Sequence, residues 1–129
     1  MSAPRSPTRV AGLGFRTTAP LAALRAVLAE AEAIAGSVTA LASTPGKTRA
    51  PQLQALAEAR ALPCHAVCVS GIATPTQSPR LHALHGTGSL AEAAALAAAG
   101  PGATLVVTRI ISSDGMATCA IAQSKEPSP

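Results

Sequence analysis

The chain has 129 residues, of which 48% are hydrophobic, 12% charged and 1% aromatic, and its net charge is +4 at pH 7. That length fits one core rather than two, so apolar a composition excludes a disordered protein, and no run of about 18 apolar residues escapes Pro, Gly or charge as a membrane span would require. Surfaces that bind single-stranded nucleic acid stack bases on aromatic rings. Here Phe15 is the sole ring and the arginines stand singly along the chain, so neither nucleic acid nor membrane is an expected partner. A small polyanion suits the dispersed positive charge better.

Alanine fills roughly a quarter of the chain, far above average usage. The core must therefore be built from Ala, Leu, Val and Ile. Each of these small side chains buries little area, but together they let helix and sheet approach closely. The first eight residues hold Pro4, Arg5 and Pro7 and no apolar run, so no secretory signal is expected and the cytoplasm is the expected setting.

The first predicted element is a short buried strand over residues 9–14, running into a glycine turn. Thr18 is the expected N-cap of the next element, with Pro20 tolerated in its first turn. Leu21, Leu24, Leu28, Ala31 and Ala35 then keep a 3.6-residue period, with Val27 and Ile34 beside them, and Gly36 stops the helix. Residues 37–42 read as a second strand and 43–47 as a turn. Leu53, Leu56, Ala57 and Ala61 mark a second helix that ends before Pro63. Residues 65–69 read as a third strand, 70–78 as loop, 79–84 as a short helical turn and 85–89 as a glycine-rich loop. Ser89 and Glu92 form a capping box that opens a helix over 90–99, stopped by Gly100-Pro101-Gly102. A fourth strand over 104–110, a turn at Ser112-Ser113-Asp114-Gly115 and a fifth strand over 116–122 complete a C-terminal hairpin. Alternating strands and helices imply a three-layer α/β/α domain. Its sheet is mixed, mostly parallel and of about five strands, and the antiparallel hairpin is expected to supply an edge strand. The single domain spans residues 9–122, between a disordered N-terminus at 1–8 and a flexible tail at 123–129.

The three cysteines, Cys64, Cys68 and Cys119, are odd in number and lack the spacing of a zinc or redox motif. Cys64 and Cys68, four apart on a strand, are expected to point into one layer of the core as inert thiols, so neither a disulfide framework nor a metal site is expected. Gly12-Leu13-Gly14 lacks the third glycine and the acidic residue of a dinucleotide fingerprint, and Lys47-Thr48 lacks the upstream glycines of a phosphate loop; no cofactor is implied. Glu30, Glu32, Glu58 and Glu92 sit on helices, where a solvated or capping role is expected, and no two carboxylates share a site. His82 and His85 are the available acid–base groups.

In open α/β sheets, ligands bind beyond the carboxyl ends of the strands. The loops after Gly14, after Ser43 and from Ser70 onward gather there, and the loop 85–89 joins them at a helix start that favours anions. Gly14, Phe15, Arg16, Lys47, His85, Thr87, Gly88 and Ser89 are the candidate ligand-binding residues; none is assigned a catalytic role.

Four stretches carry a family resemblance across roughly Val10 to Ala122: Val10-Ala11-Gly12-Leu13-Gly14-Phe15-Arg16; Leu41-Ala42-Ser43 with Lys47 shortly after; Gly86-Thr87-Gly88-Ser89-Leu90-Ala91-Glu92-Ala93-Ala94-Ala95-Leu96; and Leu105-Val106-Val107-Thr108-Arg109 followed by Met116-Ala117-Thr118-Cys119-Ala120-Ile121-Ala122. In their order and spacing the chain resembles the CobE/CbiG C-terminal domain family of cobalamin (vitamin B12) biosynthesis. The resemblance implies a part in making the corrin ring by the aerobic route, as a carrier or accessory protein binding a precorrin or a tetrapyrrole like hydrogenobyrinic acid. The alternative it implies is an enzyme acting on a precorrin, a lactone hydrolase as in CbiG or an isomerase. Other enzymes of the corrin pathway are further implied partners. Many relatives carry Cys where this chain has Phe15, so a cysteine nucleophile at that position is excluded. A precorrin is a flat apolar ring fringed with carboxylates. Gly12, Gly14, Gly86 and Gly88 can allow its close approach, Phe15 can lie against the ring, and Arg16, Lys47 and the Ser89 helix start can meet its rim.

Overall fold

The first strand, β1 (Arg9–Phe15), places small residues on one face and large ones on the other. Ala11, Leu13 and Phe15 point into a core with α1 (Leu21–Ala35) and α3 (Pro51–Arg60), while Val10 joins the opposite cluster with α4 (Leu90–Ala99). This is the period of two that a pleated strand imposes. The computed structural model describes residues 8–69, 72, 74 and 89–125; the readings at 70–71, 73, 75–88, 1–7 and 126–129 lie outside the described residues.

The remaining described elements are β2 (Ala40–Ser43), a one-turn helix α2 (Pro45–Thr48), β3 (Cys64–Ala66), β4 (Thr104–Ile111) and β5 (Ala117–Gln123). The sheet order is β3-β2-β1-β5-β4. β1, β2 and β3 pair in parallel, and β5 is antiparallel to both β1 and β4, so β5 alone is reversed. Helices α1 and α3 lie on one face and α4 on the other, as right-handed crossovers that run from β1 to β2 to β3 in one direction and from β3 back across to β4 in the other require. The architecture is the expected three-layer α/β/α sheet.

Several expectations are corrected. The returning strand of the hairpin is not at the edge: β5 inserts between β1 and β4 along seven paired residues, Arg9↔Gln123 to Phe15↔Ala117, and leaves β4 outermost. Its buried Cys119, Ala120, Ile121 and Ala122 fit an interior strand covered on both faces. It also runs through Gln123, one residue beyond the predicted fifth strand, and Ser124 N–H donates to the Thr8 carbonyl. β2 begins at Ala40 rather than 37, and α2 occupies part of the stretch read as a turn. Helix α1 starts one residue after Pro20, which stands at the N-cap position without a side-chain cap; Thr18 is exposed. Ile34 is 66% exposed despite its apolar character, because the last turn of α1 directs Ala35 rather than Ile34 against the core. β3 ends at Ala66, so the two cysteines do not share a strand: Cys64 packs against the core and Cys68 is exposed. Burial pushes the Cys64 and Cys119 thiols up, away from reactive thiolate.

Two carboxylates expected in solvated or capping roles hold tertiary structure together. Glu92 is fully buried, and its Oε2 accepts 2.8 Å from the backbone N–H of Arg109, where the β4–β5 register shifts. A bulge frees a strand N–H from its ladder, and a buried N–H needs an acceptor. Glu32 accepts two bonds of 2.8 Å from the Arg60 guanidinium and one of 3.0 Å from Val38 N–H, tying α1 to α3 and to the approach to β2.

The α4 face of the sheet is lined with Gly and Ala. A Cβ added at Gly12 would overlap the Ala91 carbonyl oxygen and stand 2.6 Å from Ala95 N; both are backbone atoms and cannot rotate away. A Cβ at Gly14 would meet Thr118 Oγ1 at 2.8 Å, a side-chain atom that can rotate. Gly12→Ala is therefore expected to cost about 3 kcal/mol or more and Gly14→Ala about 1 kcal/mol, measured by urea denaturation; equal losses would contradict this packing.

The Arg60 guanidinium holds the Glu32 carboxyl below its ordinary value, with the Val38 N–H acting in the same direction. A depressed folded-state value contributes stability above the unfolded value, about 4.3, which is lost as pH falls through the folded value. Glu32→Gln should cost about 1–2 kcal/mol at neutral pH, with the gap to the parent protein closing below about pH 4. A gap independent of pH would refute the ion pair's role.

Candidate functional site

The strands that run in one direction deliver their carboxyl ends to one edge of the sheet. Phe15 ends β1, Ser43 ends β2, and the β4–β5 turn closes on the same side, where Arg16 N–H donates 2.9 Å to the Met116 carbonyl. Chain order diverges at β1: β2 and β3 build outward on one side, β5 and β4 on the other. Open α/β sheets hold ligands in a crevice outside the carboxyl ends of their strands; Gly14, Phe15 and Arg16 stand at that edge, at the end of β1.

Each of the described candidate residues has a definite place there. Gly14 faces α4, with Leu90 Cδ2 3.6 Å from where its Cβ would stand, so the start of α4 lies beside the end of β1. Its carbonyl accepts from Thr118 Oγ1 at 3.2 Å. Phe15 faces the other way, into the α1/α3 core, and is 8% exposed. The Lys47 ammonium lies over its ring, 4.8 Å from the centroid, within cation–π range. Proline at the start of α2 sets that helical turn, which carries Lys47 back over the strand end. Partial burial pushes the Lys47 amine below its ordinary value, so an anion at this position would relieve an existing desolvation cost. Arg16 is exposed.

Ser89 is fully buried, and its hydroxyl accepts from Glu92 N–H at 3.3 Å. This half of the capping box forms as expected. The hydroxyl is committed to the cap, so what Ser89 offers at the edge is the helix start rather than a free side chain. His85, Thr87 and Gly88 lie outside the described residues, as do Gly86 and His82.

The structure thus gathers Gly14, Phe15, Arg16, Lys47 and Ser89 around the end of β1, with the Phe15–Lys47 pair on one face of the sheet and the α4 start on the other. It adds residues that sequence reasoning did not select. Ser43 Oγ donates 2.6 Å to the Leu13 carbonyl and locks β2 to β1 next to this edge. Gln52 Nε2 donates 3.0 Å to both the Thr17 and the Ala19 carbonyl. Asp114 Oδ1 accepts from Ser112 Oγ and from Met116 N–H, shaping the turn whose Met116 carbonyl receives Arg16. The hydrogen bond from Ser112, with that from Met116, holds the Asp114 carboxyl below its usual range. Ser43 and Gln52 act through contacts thirty or more residues away, for which local spacing holds no signal.

Elsewhere, a shallow apolar groove of about 330 Å³ is lined by Ile72, Leu96, Ala97, Gly100 and Pro101. It lies at the C-terminal end of α4, away from the carboxyl edge. Among the described residues there is no group of three His, Cys, Asp or Glu able to hold a metal ion, and no helix is long and apolar enough to cross a membrane.

An open α/β domain with cations at the carboxyl edge of its sheet is the class that fold and site define. Residues 9–122 match the family described as the cobalamin synthesis G C-terminus, and the chain belongs to that family. Among solved structures it is similar to CobE, a protein from the cobalamin (vitamin B12) biosynthetic pathway, with 30% identity and a TM-score of 0.79 over 99% of this chain and 98% of that one. It is likewise similar to the cobalamin biosynthesis protein chiG from Agrobacterium tumefaciens str. C58, with 32% identity and a TM-score of 0.71 over 92% of this chain and all of that one. None of the curated protein sequences matches it.

Proposed function

We propose that the protein serves corrin-ring synthesis by binding a tetrapyrrole intermediate, of the precorrin or hydrogenobyrinic acid type, at the carboxyl edge around the end of β1. The observation that carries this reading is Lys47, partly desolvated over the Phe15 ring, with the exposed Arg16 the next residue in the chain after Phe15. Two cations at one edge match a ligand with carboxylates around its rim. The start of α4, beside Gly14, adds N–H groups and the positive end of a helix dipole. Gly14 keeps the floor between them low. Phe15 serves this site as the platform under Lys47, its ring turned into the core.

A carrier or accessory role is favoured over catalysis by the chemistry of the described edge. Its described carboxylates, Asp114 and Glu92, are engaged within the fold, and the Ser43, Ser89 and Ser112 hydroxyls are hydrogen-bonded. The alternative, an enzyme acting on a precorrin as lactone hydrolase or isomerase, needs a general base, for which His82 and His85 are the candidates. Support for the pathway comes from the family and from the two similar structures, and the ligand is inferred from that pathway and from the charge at the edge.

Titration with hydrogenobyrinic acid, followed through the ligand's visible spectrum, tests the reading. A saturable shift at one ligand per chain without conversion is expected, and Arg16→Ala and Lys47→Ala should each weaken binding about tenfold. No shift at micromolar protein would overturn it, and slow conversion lost in His85→Ala would establish the enzyme instead.

A further inference from the structure

Resting on that reading of the site, we propose that Gln52, on the first turn of α3, is the positioning residue that fixes Arg16 for ligand binding. Arg16 opens the five-residue connection between β1 and α1. Its own backbone is held on one side, by its N–H bond to the Met116 carbonyl and by its carbonyl accepting from Ala19 N–H, both 2.9 Å. The other side of the connection has neither ladder nor helix to bond to, and its carbonyls need donors from elsewhere.

The Gln52 carboxamide supplies them. One amide nitrogen carries two N–H groups, and here each meets one carbonyl, Thr17 and Ala19, at 3.0 Å. These carbonyls bracket Thr18 and stand one and three residues beyond Arg16. The amide therefore spans the loop and closes the turn that Arg16 opens. Gln52 can do this because Pro51 starts α3 at the same carboxyl edge, so a side chain on the first helical turn reaches back toward the connection ahead of α1. Gln52 is half-buried; its bond to Ala19 is part-buried and so kept from full competition with water, while its bond to Thr17 is exposed. With the loop held at both ends, the exposed guanidinium projects from a fixed backbone, and less conformational freedom is lost when it meets a carboxylate.

The test is a double-mutant cycle on the full chain with hydrogenobyrinic acid as probe, together with amide exchange. Gln52→Met keeps the length and removes the donors; Gln52→Glu keeps the shape and removes them a second way. Each is expected to weaken binding about three- to tenfold and to speed exchange at Ala19 N–H while α3 amides keep their protection. In the Arg16→Ala background neither should weaken binding further, because nothing remains to position. Unchanged affinity in both Gln52 variants, or a loss that adds in full to that of Arg16→Ala, would overturn the proposal and leave the binding reading intact. Absence of binding by the parent protein would overturn both, and is seen before any variant is made.

Discussion

The close approach of α4 to β1 at Gly12 is the constraint on which the rest of the molecule depends. A helix can lie this near a sheet only where no Cβ stands between them, and at Gly12 the space a Cβ would need is filled by the backbone of Ala91 and Ala95. The adjoining α4-facing positions, Ala40 and Ala42, are as small as side chains allow, and so are Ala93 and Ala94 on the helix. The opposite face carries Leu13, Phe15, Leu41 and Ile121 and holds its helices at ordinary distance. Small residues on the α4 face and large ones on the other thus give the two sides of the same sheet unlike packing.

That asymmetry sets the site. With α4 drawn in, its first turn arrives directly beside Gly14, so a helix start and a strand end share one edge. Buried Glu92 fastens the same turn to the bulge in β4 through Arg109 N–H. On the side of the large residues, Phe15 is large enough both to fill the core and to support Lys47 at its rim. The chain thereby brings charge from two faces to the end of one strand, using few charged residues, an arrangement that matches the acidic rim of the proposed ligand.

Much of this was legible in the residues. The period-two alternation Val10-Ala11-Gly12-Leu13-Gly14-Phe15 marks a strand between unlike layers, the 3.6-residue spacing marks α1, and Ser89 with Glu92 marks the start of α4. Gly14, Arg16 and Lys47 follow from the rule that open sheets bind at carboxyl ends. What was hidden depends on long-range register. Nothing local says that β5 inserts beside β1, since a hairpin strand can pair on either side of its partner. Glu92 satisfies a capping pattern and gives no sign that its carboxylate is buried against β4. Cys68 follows a strand that stops two residues before it, and strand ends are set by neighbours rather than by propensity. Phe15 was read at the ligand loop; the pleat turns it inward, and its contribution passes through Lys47.

The central claim is that a carboxylate-rimmed tetrapyrrole binds at the edge where β1 ends. The most direct measurement is amide chemical-shift mapping of the isotopically labelled chain on addition of hydrogenobyrinic acid. The account predicts that perturbations concentrate at Arg16, Thr17, Gly46, Lys47, Leu90 and Ala91. Perturbations concentrated instead at Gly36, Ala61 and Gly100, on the opposite edge of the sheet, would contradict it.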